Sequence, residues 1–217
     1  MTKGTNATLP AEWPPPLPGP RDPAWRTPRP LPSEAVSRRW ATHKAAGFAV
    51  ASLAGRIIPL PVRIVVQPNG AWADCGDGGP HDAGPTGWAA VARELLAGIA
   101  AELLAGNGNP WSGAAGSVEI AEEVLFLATA ERSDAALEAQ LQAAWRDAAA
   151  MVARPEIWGA VVEMAEALSQ LGEPSQAEWL AMCERAAMRI HGAEACADML
   201  QWPGAGFARP SYSQGMP

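Results

Sequence analysis

The chain has 217 residues, 48% hydrophobic and 18% charged, which is enough apolar surface for a packed core and too apolar for a disordered chain. The net charge of −7 and a pI near 5.0 exclude a general nucleic-acid binder. No apolar run approaches 18 residues, so no membrane span is expected, and three cysteines without paired spacing read as reduced thiols of a cytoplasmic protein.

Charge is uneven along the chain. Residues 1–39 hold six basic side chains and three acidic ones, a net +3, so the remainder carries −10 of the total of −7. Fourteen arginines against two lysines, with heavy use of Ala, Gly, Pro and Trp, fit the coding bias of a GC-rich bacterium or phage.

Ten prolines fall in residues 1–32. Proline lacks the amide donor, so this basic arm is expected to be extended, polyproline-like and stiff. Trp13 and Trp25, with Arg21, Arg26 and Arg29, are its candidate partner-binding residues. Two indoles are costly to leave in water, so the arm is expected to pack on an acidic, apolar-rimmed surface of its own body or of another copy.

Ser33-Glu34 can cap a helix to about Ala54, with Gly55 as its stop. An edge strand centred on 62–66, an Asn69-Gly70 turn and a return strand at 71–74 form a hairpin. Residues 76–86 read as loop. Thr86 then caps a helix to about Ala105, with Trp88, Val91, Leu95, Ile99 and Leu103 on one stripe. Ser117 and Ser133 begin the next two helices. Pro155 starts another, with Trp158, Val161, Val162, Ala165 and Leu168 inward. Ser175-Gln176-Ala177-Glu178 is a capping box before a helix carrying Trp179, Leu180, Cys183 and Ile190. The expected organisation is an arm (1–32), a helical domain (33–202) and a flexible tail (203–217). The fold class is α+β, mostly α: a helix, a small hairpin sheet, then a helical bundle.

Two segments carry a family resemblance. Gly47-Phe48-Ala49-Val50 in the first helix resembles the Gly-His-Ala-Val of the FtsH-type zinc metallopeptidases, whose active-site helix reads His-Glu-Ala-Gly-His-Ala-Val-Val. Leu96-Ala97-Gly98-Ile99-Ala100-Ala101-Glu102 resembles that family's Leu-Ala-Gly-Arg-Ala-Ala-Glu helix. Gly116-Ser117-Val118-Glu119-Ile120 falls where the family has a Gly-rich turn and its third metal ligand. Residues 157–180 resemble the paired helices that close its domain. The likeness covers about residues 35–185, and no phosphate-binding Gly-x-x-x-x-Gly-Lys-Ser/Thr loop of an ATPase module is present.

Zinc on such a helix needs two histidines one turn apart and a glutamate that deprotonates the bound water. One register places Lys44, Ala45 and Phe48 at the His, Glu and His positions; the other places His43, Lys44 and Gly47 there. The first keeps the Gly-x-Ala-Val pattern and is preferred. Neither supplies two histidine ligands or the base. The resemblance therefore implies a zincin-like active-site helix without its chemistry: a non-catalytic binding protein, of phage or mobile-element type, with no cofactor. The degenerate zinc-site positions are Lys44, Ala45, Phe48 and Glu119, with His43 and Glu102 as supporting residues. The implied packing sets the first helix beside the 86–105 helix, with the strand close to both. Lys44 would pair with Glu119 or Glu102, and Phe48 would fill the volume of an imidazole.

Other readings remain. An unconventional zinc site could use His43, Glu119 and loop ligands such as His81, making the chain an active peptidase. An assembly subunit could wrap a neighbour with its arm. The loop Asp74-Cys75-Gly76-Asp77-Gly78-Gly79-Pro80-His81-Asp82 matches no established zinc or calcium spacing and reads as a solvated acidic turn. Cys183 and Cys196 sit on apolar helical stretches as core. His191 lies near a helix end, where a cation complements the dipole.

Overall fold

The computed structural model describes residues 9, 12–18, 33–55, 63–67, 70–74, 84–107, 111, 114–129 and 133–200. Six helices and one hairpin appear among them: α1 (Glu34–Gly55), β1 (Arg63–Gln67), β2 (Gly70–Asp74), α2 (Gly84–Leu104), α3 (Ala115–Ala128), α4 (Asp134–Val152), α5 (Pro155–Leu171) and α6 (Gln176–Leu200). The fold is mostly α with a small β component, as the sequence pattern predicts. Trp25, Arg21, Arg26 and Arg29, and the loop with Cys75 and His81, lie outside the described residues.

The C-terminal two-thirds of α1 is the central element. Ala41, Ala45, Ala46, Ala49, Val50, Ala51 and Leu53 are buried, and α2, α5, α6 and the hairpin all pack on this helix. A helix covered on several sides cannot carry a polar face, so its hydroxyls turn back onto the backbone. Thr42 Oγ1 donates to the Arg39 carbonyl at 2.8 Å and Ser52 Oγ to that of Phe48 at 3.0 Å. The α2 helix supplies the facing layer through Ala92, Leu96, Ala97, Ile99 and Ala100, and α4 and α5 complete it with Trp145, Ala148, Ile157, Val161 and Leu168.

The two strands are antiparallel, with Val65 opposite Trp72 and Gln67 opposite Gly70. Gly70 thus belongs to the ladder rather than to the turn, one residue off the predicted Asn69-Gly70 connection. Period-2 burial accounts for the register: Ile64 and Val66 both point into the core. The Val66 N–H donates to the Gly172 carbonyl at 3.1 Å, tying the hairpin to the turn between α5 and α6. The hairpin packs on α1.

Helix ends follow local chemistry. Ser133 accepts from the Ala136 N–H at 3.2 Å. The capping box at α6 closes in both directions, with Glu178 Oε2 accepting from the Ser175 N–H at 2.8 Å and from its hydroxyl at 2.6 Å. These bonds hold the Glu178 carboxyl below its ordinary range. Two predicted starts shift by two residues. The α3 helix begins at Ala115 after a turn in which the Ala114 N–H donates to the Trp111 carbonyl, with no side-chain cap, and α2 begins at Gly84. After α2, Gly106 has φ +95°. Its N–H bonds Leu103 and the Asn107 N–H bonds Glu102, the crossed pair of a Schellman ending that positive φ permits. Gly192, at φ +81°, kinks α6.

Part of the arm is seated on the body. Leu17 is buried, and Trp13 packs against the core. Trp145 Nε1 donates to the Pro15 carbonyl at 2.7 Å and Gln142 Nε2 to the Leu17 carbonyl at 2.8 Å. A polyproline-like strand has carbonyls with no internal partner, so donors on α4 hold it. The contact surface here is apolar and amide-bearing rather than acidic.

Candidate functional site

The region that the sequence singles out is the crossing of α1 with α2. The two helices run antiparallel, with Gly55 beside Glu94 and Gly47 beside Ala97 and Ala101. Glycine on each side lets the backbones meet. A Cβ on Gly98 would lie 2.8 Å from the Lys44 carbonyl oxygen, 3.4 Å from Lys44 Cγ and 3.6 Å from Phe48 Cβ. A Cβ on Gly47 would lie within 2.4 Å of the Ala101 Cβ. The expected neighbourhood of the two helices is present, and the strand lies against α1.

The degenerate positions divide. Lys44 and Phe48 are half-buried on the side of α1 that faces Gly98, and Ala45 is buried. Glu119 is exposed on α3, which packs on α2 and α4. Its charge acts on Glu122, whose carboxyl is pushed up by desolvation and by repulsion from Glu119. Glu102 is buried, and its carboxylate accepts a hydrogen bond from Asn107 Nδ2. That bond anchors the Schellman turn to the helix it ends.

His43 is a core residue. Its Nδ1 lies 2.7 Å from the Arg39 carbonyl, which can only accept, so Nδ1 carries the proton. The ring lies 5.9 Å from Trp158 at a tilt of 34°. Burial pushes its pKa below the ordinary histidine value, more strongly than the Arg39 carbonyl raises it. His191 reaches across the fold, with Nε2 3.1 Å from the Leu53 carbonyl. The helix end it serves is that of α1, not of its own helix. Cys183 is buried and its thiol is pushed up to about 12 by desolvation. It packs as the apolar pattern predicts.

No protein-family model, curated protein or solved structure gives a significant match to this chain. What the site can do is therefore argued from its own residues. Among those described, no three His, Cys, Asp or Glu side chains converge as a metal-binding group. Among the described residues, no helix is long and apolar enough to cross a membrane.

Two features escape the sequence reading. Glu94 is fully buried on α2 at the C-terminal end of α1, with Arg93 at 3.8 Å. Gly55 packs directly over its carboxylate. The second is an acidic, apolar groove between α3 and α4, lined by Glu122, Glu123, Phe126, Leu127 and Leu137. Part of its signal was available as two glutamates and two apolar residues at 122–127 of α3, whereas Leu137 comes from α4.

Proposed function

We propose that this chain is a non-catalytic interaction protein built on a peptidase-like helical scaffold that lacks the His-Glu-x-x-His chemistry. The observation that carries the reading is the closure of α1 by α2. The face bearing Lys44 and Phe48 lies against Gly98 of α2, with a Cβ at Gly98 falling 2.8 Å from the Lys44 carbonyl oxygen, and this close packing supports reading the face as a structural contact. The histidine chemistry nearby supports it. His43 and His191 each direct one ring nitrogen to a main-chain carbonyl, and His43 is buried beside Trp158, which supports a packing role for it. The contact surfaces are then the arm and the exposed faces of the body.

The test is metal analysis of the purified full chain together with a protein-hydrolysis assay. Zinc far below one equivalent and no hydrolysis above background are expected. One equivalent of zinc, with hydrolysis lost on chelation and restored by the metal, overturns the reading.

A further inference from the structure

Residues 13–18 are seated on α4 through main-chain carbonyls and one apolar side chain. Trp145 Nε1 donates to the Pro15 carbonyl at 2.7 Å and Gln142 Nε2 to the Leu17 carbonyl at 2.8 Å. The two donors stand three residues apart on one face of α4, and the carbonyls they hold belong to alternate residues of the segment. Leu17 is 3% exposed, Pro15 and Pro18 are half-buried, and Pro16 faces solvent. Trp111 meets Trp145 edge-on, with ring centroids 5.6 Å apart at 69°, a contact that favours one setting of the indole.

This is the chemistry of polyproline recognition: donors for carbonyls that have no internal partner, an aromatic wall, and a pocket for one aliphatic side chain. The prolines at 14, 15, 16 and 18 bring no N–H that burial would leave unpaired. The seat is imperfect for its present occupant. Trp13 Nε1 is buried with no hydrogen-bond partner, an uncompensated desolvation that a segment with a purely apolar ring there would avoid. A better-fitted segment can therefore displace this one.

We propose that the α4 face bearing Gln142 and Trp145 is a binding site for a proline-rich segment of a partner protein, with a large aliphatic residue two positions after a proline, and that residues 13–18 fill it in cis until such a segment displaces them. The proposal rests on the reading of the chain as an interaction protein and supplies its ligand class. Zinc and hydrolysis would overturn that reading by a different measurement, so the two failures are told apart.

A fluorescein-labelled peptide with the sequence of residues 12–18, titrated with the full chain and followed by anisotropy, tests the site. A tethered segment competes at an effective concentration of about millimolar, so wild type should bind the peptide weakly, and Leu17→Ala, which loosens the tethered copy, at least about tenfold more tightly. Adding Trp145→Phe removes the donor to the ligand carbonyl and should weaken that binding about three- to tenfold. A peptide with alanine in place of its leucine should bind the Leu17→Ala protein at least about tenfold more weakly. Far-UV dichroism checks that each variant keeps the fold. If Leu17→Ala does not, the wild-type chain at about millimolar concentration must still prefer the leucine peptide over the alanine peptide by the same margin. Equal affinity of wild type and Leu17→Ala, or binding indifferent to Trp145→Phe and to the leucine, overturns the proposal. So does sedimentation that finds wild type a dimer and Leu17→Ala a monomer, which would give the seat to the arm of a second copy.

Discussion

Replacing Gly47 by alanine tests the helix crossing on which the reading of the site depends. The added Cβ would sit 2.4 Å from the Ala101 Cβ, 3.0 Å from the Ala97 carbonyl oxygen and 3.2 Å from the Gly98 Cα. Carbon atoms rest at about 3.5–4.0 Å, so the two helices must part by an ångström or so. The crowding atoms belong to the backbone or to a Cβ, and no rotamer change relieves them. Overpacking of this kind costs about 1–3 kcal/mol and occasionally more. Alanine returns about 1 kcal/mol through helix propensity. The expected net loss is about 0–2 kcal/mol, or a melting temperature lower by up to about 8 °C for a domain of this size. Urea unfolding followed by far-UV dichroism measures it, with the slope unchanged if the native state stays compact. Ala101→Gly in the same background removes the nearest obstacle, and a double-mutant cycle should show coupling of about 0.5–3 kcal/mol. Gly116→Ala is the control. No atom lies within 4 Å of its Cβ, so it should stabilise by about 0.4–1 kcal/mol. A Gly47→Ala protein stabilised by about 1 kcal/mol, the helix-propensity gain with no steric cost, would refute the close crossing.

Other expectations concern single groups. Burial lowers the His43 pKa below the ordinary histidine value, so the unfolded chain takes up the proton first. Its contribution to stability is complete above about pH 6.5 and is lost as pH falls below it; urea midpoints from pH 7.5 to 5 should fall, and less steeply in His43→Gln. In a Cys75→Ser, Cys196→Ser background, Cys183 should resist a thiol reagent at pH 8 until global unfolding, since its thiol is pushed up to about 12; fast alkylation of the native protein would contradict its burial. Trp145→Phe keeps an aromatic ring under the arm and removes the donor to Pro15, which should cost about 0.5–1.5 kcal/mol in urea unfolding. Ser133→Ala should cost about 0.5–2 kcal/mol by exposing the Ala136 amide at the start of α4.

Much of the secondary structure was legible because its causes are local. Ser133, Pro155 and the Ser175–Glu178 box mark three helix starts by hydrogen bonds or backbone geometry available within a turn. The inward stripes of α5 and α6 follow from helical periodicity, with Val162, Leu180 and Ile190 only half-buried at the margins. The hairpin is equally plain in the sequence, but its register slipped by one residue in the reading. The burial of Ile64 and Val66 against α1 sets that register, and no turn residue records it.

The candidate site depended on tertiary packing for opposite reasons at different residues. The resemblance implies a helix pair through Gly47 and Gly98, yet only the structure shows how closely Gly98 meets the Lys44 carbonyl and Phe48 Cβ. The resemblance puts Glu119 at a ligand position, but α3 turns it to solvent beside Glu122. His43 and His191 look alike in sequence, two lone histidines on helices. One is drawn under Trp158 and the other across to Leu53, a contact spanning residues far apart in the chain. Composition and periodicity determine which side chains must leave water. Which buried partner each polar group then meets is decided by the arrangement of whole helices, because a hydrogen bond or a charge acts over a few ångströms that sequence distance does not encode.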